Sequence, residues 1–129
     1  MDRADTELIA AAREILRERA KPAVHFIGAA LRTRSGRVFR GVNIGTIVGR
    51  ASVCAEAVAL GIAAAAGDTD VDCIVAVNEH GDVVSPCGIC REMLSDYAPD
   101  ASVIVPAAPA PRRVPLGELL PIKFVRPRG

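Results

Sequence analysis

The chain carries Cys54-Ala55-Glu56 and, further along, Pro86-Cys87-Gly88-Ile89-Cys90. These two segments constrain the fold more than any other feature. Thiols that share one ion must lie within bonding distance of it, so segments far apart in sequence are obliged to converge. Three soft ligands suit zinc. A structural zinc normally closes with four protein ligands, whereas a hydrolytic zinc keeps one position for water. No fourth ligand is obvious beside these three, and Glu56 follows closely on the first thiol, placed to move protons. The pattern argues for zinc-bound water as a nucleophile. Two disulfides among the four cysteines are the alternative, but Cys87-x-x-Cys90 with a nearby Cys-x-Glu suits metal better.

A length of 129 residues supports one domain with one core, spanning 1–129, with about 122–129 as a C-terminal tail. Half the residues are hydrophobic, yet there is one Tyr and only three Phe, so the core is built from Ala, Val, Ile and Leu. A formal net charge of +1 gives no bulk attraction to nucleic acid or an anionic membrane. The longest apolar stretch, Ala57 to Ala66, is too short to span a bilayer. The start, Met-Asp-Arg-Ala-Asp, lacks a basic segment followed by an apolar one, so the expectation is a cytoplasmic protein with reduced thiols.

Leu8, Ile9, Ala12, Ile15 and Leu16 recur at helical spacing and predict an amphipathic helix over 5–20, stopped before Pro22. Residues 23–34 and 37–43 read as strands joined by Ser35-Gly36, a hairpin signal. The stretch 43–53 reads as loop, with Arg50 at a pocket mouth. Ser52 is a candidate cap for a helix over 54–66, ending before Gly67. A buried strand is expected at 72–78 with a short extension at Val83-Val84. A helix over 89–97, a strand over 102–105 and a helical turn over 116–120 follow. The proline-rich run 106–115 reads as an extended surface loop. The order α-β-β-α-β-α-β predicts an α/β fold: a mixed sheet in a three-layer α-β-α sandwich.

Cys54 opens one helix, and Cys87 with Cys90 opens another. Helix N-termini carry unpaired N–H groups and partial positive charge, which favour thiolates. Three thiolates and Zn²⁺ still sum to one negative charge, which weakens the metal as a Lewis acid. Arg91 is the candidate to offset it; an ordinary exposed helix arginine is the competing reading. Glu56, in the first turn of its helix, can reach the same cavity without being a ligand and can shuttle protons. Its bland alternative, favouring the helix N-terminus, is worth under about 1 kcal/mol. Cys73, inside an apolar strand, reads as a small core residue, and His80 as exposed.

Cys54-Ala55-Glu56 with Pro86-Cys87-Gly88-Ile89-Cys90-Arg91 resembles the signature of the cytidine deaminase superfamily in its three-cysteine form. The likeness continues through Gly28-Ala29-Ala30-Leu31, Ser35-Gly36-Arg37-Val38-Phe39, Gly41-Val42-Asn43, Ile74-Val75-Ala76-Val77 and Glu118-Leu119-Leu120-Pro121, over roughly 5–125. Within the superfamily the chain looks most like the small cytidine deaminases and the blasticidin S deaminases. The resemblance implies one Zn²⁺ per chain held by Cys54, Cys87 and Cys90, with Glu56 relaying protons as water displaces the amine of a cytosine-type ring. It also implies that the backbone at Ala55 and Ser85 fixes the base, that Asn43 meets the sugar, and that the enzyme is a homotetramer acting on a small nucleoside-like molecule.

The departures bear on the substrate. Cytidine deaminases typically read Asn-Val-Glu where this chain reads Asn43-Ile44-Gly45, and Gly45 cannot accept a hydrogen bond from a sugar hydroxyl. A site built around such bonds discriminates strongly, so ordinary cytidine should bind less well. His25 lies where the family commonly places a Phe against the pyrimidine, with a structural histidine as the other reading. Phe124 is similar in place to an aromatic that closes a neighbouring subunit's pocket; a core-edge Phe is the alternative. Arg126 and Arg128 are candidates for an acidic group on the substrate or for a solvated tail. Two other function classes compete: a zinc-binding protein without chemistry, and a deaminase of single-stranded nucleic acid. The second would need a basic groove and stacking aromatics, which this composition does not supply.

Overall fold

Helix α1 (Arg3–Arg19) forms because Leu8, Ile9, Ala12 and Leu16 make one continuous buried stripe. Asp2 caps it, Oδ1 accepting the Asp5 N–H at 2.9 Å, and Arg17 and Arg19 in the last turn complement its dipole. The structure, a computed structural model, describes residues 1–127; Arg128 lies outside the described residues.

After α1 the chain turns instead of entering the sheet. The N–H groups of Val24 and His25 both donate to the Lys21 carbonyl, and Ala23 sits at φ 67. Strand β1 (Ile27–Thr33) therefore begins later than the predicted 23–34, because the turn takes up the backbone groups that a strand would pair. It forms a hairpin with β2 (Val38–Val42), in register from Gly28↔Val42 to Arg32↔Val38. Then come a 3-10 turn at Gly49–Ala51, α2 (Ala55–Ala65), β3 (Val71–Asn78), β4 (Val83–Val84) and α3 (Gly88–Tyr97). The chain closes with β5 (Ser102–Val105), β6 (Arg112–Pro115) and α4 (Leu116–Leu119).

The sheet runs β2-β1-β3-β5-β6, with β4 also on β3. β3 and β5 are parallel; the remaining pairs are antiparallel. Strand β6 was not expected: the end of the proline-rich run pairs Val114 with Val103 and Pro115 with Ser102. An edge position and a strand terminus both tolerate a residue without an N–H.

Alternation along β3 explains the layers. Cys73, Val75 and Val77 pack with Leu8, Ile9 and Ala12 of α1. Ile74 and Ala76 point the other way, into a core with Ala55, Ala59 and Ala63 of α2 and Leu94 of α3. With both faces covered, the strand is apolar throughout. The fold is a mixed sheet between helices, as the element order implied.

Candidate active site

Helices α2 and α3 lie on the same face of the sheet, and each begins at a cysteine. Cys54 is the N-cap of α2 and Cys87 that of α3, so each thiol stands at a helix N-terminus. Ser52, expected to cap α2, instead accepts the Thr46 N–H on its Oγ at 3.2 Å. Gly41 on β2 sets how closely α2 approaches: a Cβ there would stand 2.8 Å from the Ala59 nitrogen and 3.0 Å from the Ala55 carbonyl oxygen. Only bare backbone lets the first turn of α2 rest on the strand.

The three thiols converge. Cys54 and Cys87 Sγ lie 3.4 Å apart, Cys87 and Cys90 Sγ 3.6 Å, and all three sulfurs fall within 4.8 Å of one another. A disulfide requires about 2.05 Å. Sulfurs at about 2.3 Å from a tetrahedral zinc sit about 3.8 Å apart, so the donor set fits that ion. Among the described residues no other Cys, His, Asp or Glu joins the group, which leaves a coordination position for a small oxygen ligand.

The thiols differ in acidity. Burial, then the Cys87 thiol, raises Cys54. Burial also raises Cys90, with the Glu56 and Cys54 charges adding to it. Burial acts against Cys87 too, but the Cys90 and Ile89 N–H groups and the neighbouring thiols hold it below the ordinary thiol value. The α3 N-terminus thus favours one thiolate, and the other two need a cation to deprotonate.

Glu56 is 6% exposed. Burial raises its carboxyl above the usual range, against a hydrogen bond from its own backbone N–H. Among the ion pairs of the described residues none includes Glu56. It lines a cavity of about 250 Å³ together with Cys54, Cys87, Asn43, Ala55 and Ser85. A buried carboxyl without a cation, opening onto a cavity beside three potential metal ligands, is equipped to take up and release protons.

Other predicted residues fall elsewhere. Asn43 lines the cavity, but its amide is largely committed: Oδ1 accepts the Phe26 and Ile27 N–H groups at 2.9 and 3.0 Å, and Nδ2 donates to the Val24 carbonyl at 3.0 Å. His25 is not on a strand and does not line this cavity; its Nδ1 accepts the Lys21 N–H at 3.0 Å, and it borders a separate hollow of about 530 Å³ with Arg13 and His80. Phe26 takes the place expected of His25 on the cavity wall. The turn after Pro22 shifts the face by one residue, which the strand reading of 23–34 concealed. Phe124 is 78% exposed and borders, with Arg126, another hollow. Arg91 donates from Nε to the Pro86 carbonyl at 2.9 Å and from Nη1 to the Leu119 carbonyl at 3.0 Å. Arg50 is exposed in the 3-10 turn and is not on the cavity wall. Cys73 is buried against α1, its thiol pushed up to about 12 by desolvation, and His80 is exposed.

Gly45 has a tighter constraint than its lack of a side chain. A Cβ there would meet the Val24 carbonyl oxygen at 2.6 Å. The same close approach that admits the Asn43–Val24 bond excludes any side chain at this point of the cavity.

The family described as "Cytidine and deoxycytidylate deaminase zinc-binding region" matches residues 2–106. A Blasticidin-S deaminase from Bacillus cereus is 41% identical over 130 residues, covering 95% of this chain and 93% of that protein. A cytidine deaminase from Mycobacterium tuberculosis is 32% identical over 98 residues, covering 76% of this chain and 71% of that protein. The crystal structure of cytidine deaminase from Mycobacterium tuberculosis superposes with a TM-score of 0.81 at 28% identity, covering 97% of this chain and 100% of that one.

Proposed function

The chain belongs to the cytidine and deoxycytidylate deaminase zinc-binding family, and from that premise we propose a role for each residue of its site. It is a zinc-dependent deaminase of cytosine nucleosides. Cys54, Cys87 and Cys90 hold the metal. When bound, zinc supplies Lewis-acid activation of water near neutral pH. Glu56 accepts a proton from the attacking water and delivers it to ring N3; it then takes the proton of the hydroxyl formed on C4 and passes it to the departing amine, leaving the carbonyl. The water oxygen joins ring C4, the C4–N bond breaks, and ammonia leaves with no redox change. The backbone at Ala55 and Ser85 orients the base, and Phe26 lies against it on the wall that His25 was expected to form.

One observation carries this reading: the one acid on the wall of the cavity that Cys54 and Cys87 line, beside the three-thiol cluster, is buried and has no cationic partner among the described residues. Zinc content and ammonia release from cytidine, deoxycytidine and blasticidin S test it together. The expected result is one zinc per chain and turnover that Glu56→Gln lowers by at least about 10²-fold while zinc stays bound. Retained turnover in that variant overturns the assignment. Zinc without turnover on any amino-heterocycle nucleoside would leave a binding protein.

The substrate is a cytosine nucleoside with an altered sugar, of the blasticidin S kind. The closed space at Gly45 supports this, since no side-chain acceptor can stand there, and the committed amide of Asn43 supports it further. Equal and efficient turnover of cytidine and deoxycytidine would count against it.

The assembly is a homotetramer. Ile47, Val48, Ile89, Phe124 and Val125 are large apolar residues at least 59% exposed, and exposed apolar surface that contact with other subunits would cover supports that state. Phe124 then reaches a neighbour's pocket and not its own. Residues 1–129 act as one domain, with 122–129 as the tail. No described helix is long and apolar enough to cross a membrane. Thiols free for metal suit a reducing cytoplasm.

A further inference from the structure

The guanidinium of Arg91 is engaged by backbone. It spans two backbone carbonyls from different parts of the chain. Pro86 immediately precedes Cys87, so a donor fixed on its carbonyl at 2.9 Å fixes the turn that aims the Cys87 thiol. Leu119 ends α4, a four-residue helix too short to satisfy its own terminal carbonyls, and Arg91 Nη1 reaches one of them at 3.0 Å. Arg91 itself is anchored, its N–H donating to the Cys87 carbonyl at 3.0 Å in the first turn of α3. Three points of one residue therefore hold Pro86, Cys87 and Leu119 in fixed relation. α4 is in turn tied to the sheet, Leu116 being 1% exposed and donating its N–H to the Ala101 carbonyl at 2.9 Å.

We propose that Arg91 is a positioning residue, a two-pronged clamp that locks the Cys87 turn to α4, so that the affinity of the thiol set for zinc depends on the C-terminal segment. The inference rests on the zinc reading of the site. Its chemistry needs the planar fork of an arginine, because two donors must leave one group in different directions; a lysine keeps the charge and loses that geometry. Partners that orient metal ligands typically contribute 10–100-fold to metal affinity.

The test measures zinc affinity and release by chelator competition on the full chain, with Arg91→Ala and Arg91→Lys beside the parent. Backbone hydrogen exchange over 116–120 and the pH profile of turnover accompany it. The clamp predicts zinc binding weakened about 10–100-fold in Arg91→Ala, a substantial loss in Arg91→Lys despite its charge, faster exchange over 116–120 in both, and an unshifted pH profile. Should Arg91→Ala fail to fold, Arg91→Lys carries the same readouts. Parental zinc affinity in Arg91→Lys, or a pH profile shifted in Arg91→Ala and restored by lysine, overturns the clamp in favour of simple charge. Unchanged zinc affinity in Arg91→Ala overturns it outright. Failure of the parent itself to bind zinc would instead overturn the functional reading.

Discussion

Two buried acidic centres lie at different places on this sheet, and they are handled in opposite ways. Asp5, 2% exposed, meets Arg32 at 3.0 Å and Arg113 at 3.3 Å; Asp72 meets the same arginines at 2.8 and 2.9 Å. Those four side chains tie α1, β1, β3 and β6 together. Glu56, almost as buried, has a cavity and a backbone N–H where Asp5 has two guanidinium groups. A buried carboxylate with cations is a fixed charge, expensive to disturb. One without them changes protonation readily, which catalysis requires and stability does not. The difference separates what holds the molecule together from what it does.

The largest effect should come from the unpaired acid. Glu56→Gln is expected to lower turnover roughly 10²–10⁴-fold while leaving thermal unfolding at or slightly above the parental temperature, since no ion pair is lost. A stability loss as large as the activity loss would erase the contrast. Asp5→Ala should do the reverse. Arg32 and Arg113 keep Asp72 but lose their charged hydrogen bonds to Asp5, which costs about 1.5–3 kcal/mol in denaturant unfolding, with turnover per folded molecule unchanged.

Gly41→Ala joins the two behaviours. The added Cβ meets helix backbone at 2.8 Å, so α2 must move, costing roughly 1–3 kcal/mol and disturbing Cys54 and Glu56 together. Parallel loss of stability and turnover is expected; loss of only one would mean that α2 does not carry the site as a rigid unit.

Acid titration of stability gives the smallest effect. Burial pushes the Asp72 carboxyl up, but the Arg32 hydrogen bond and the Arg113 charge outweigh it and hold the group below its ordinary value. Its folded pKa is thus lower than its unfolded one. The stabilisation is fully present above the unfolded value of about 3.9 and is lost as pH falls through the depressed folded value. Asp72→Asn should flatten the acid limb of a Tm-against-pH curve below about pH 4; an unchanged limb would remove Asp72 from the paired centre.

Much of the fold was legible because its signals are local. The stripe of Leu8, Ile9, Ala12 and Leu16 has one interpretation, and Ser35-Gly36 marks the hairpin. Strand β3 was legible as buried from its unbroken apolar run. The missed elements depend on distant partners. Residues 23–26 look like strand until the Lys21 carbonyl takes two of their N–H groups, and Arg112–Pro115 look like loop until β5 offers an edge. The same limit governs the site. The three thiols could be recognised as a set from spacing, but whether His25 or Phe26 faces the cavity turned on one residue of backbone phase. The targets of Arg91 are carbonyls, which carry no sequence signature.

By itself, the sequence determined the chemistry available to this protein: three thiols and one acid at the starts of two helices, because ligand type and helix phase are properties of neighbouring residues. Tertiary structure alone decided which acids are neutralised, that Gly45 is closed by the Val24 carbonyl, and that Arg91 grips backbone at Pro86 and Leu119. Those outcomes depend on distances between segments remote in the chain, and at a few ångströms such distances decide whether a charge is paired, a space is open or a ligand is held.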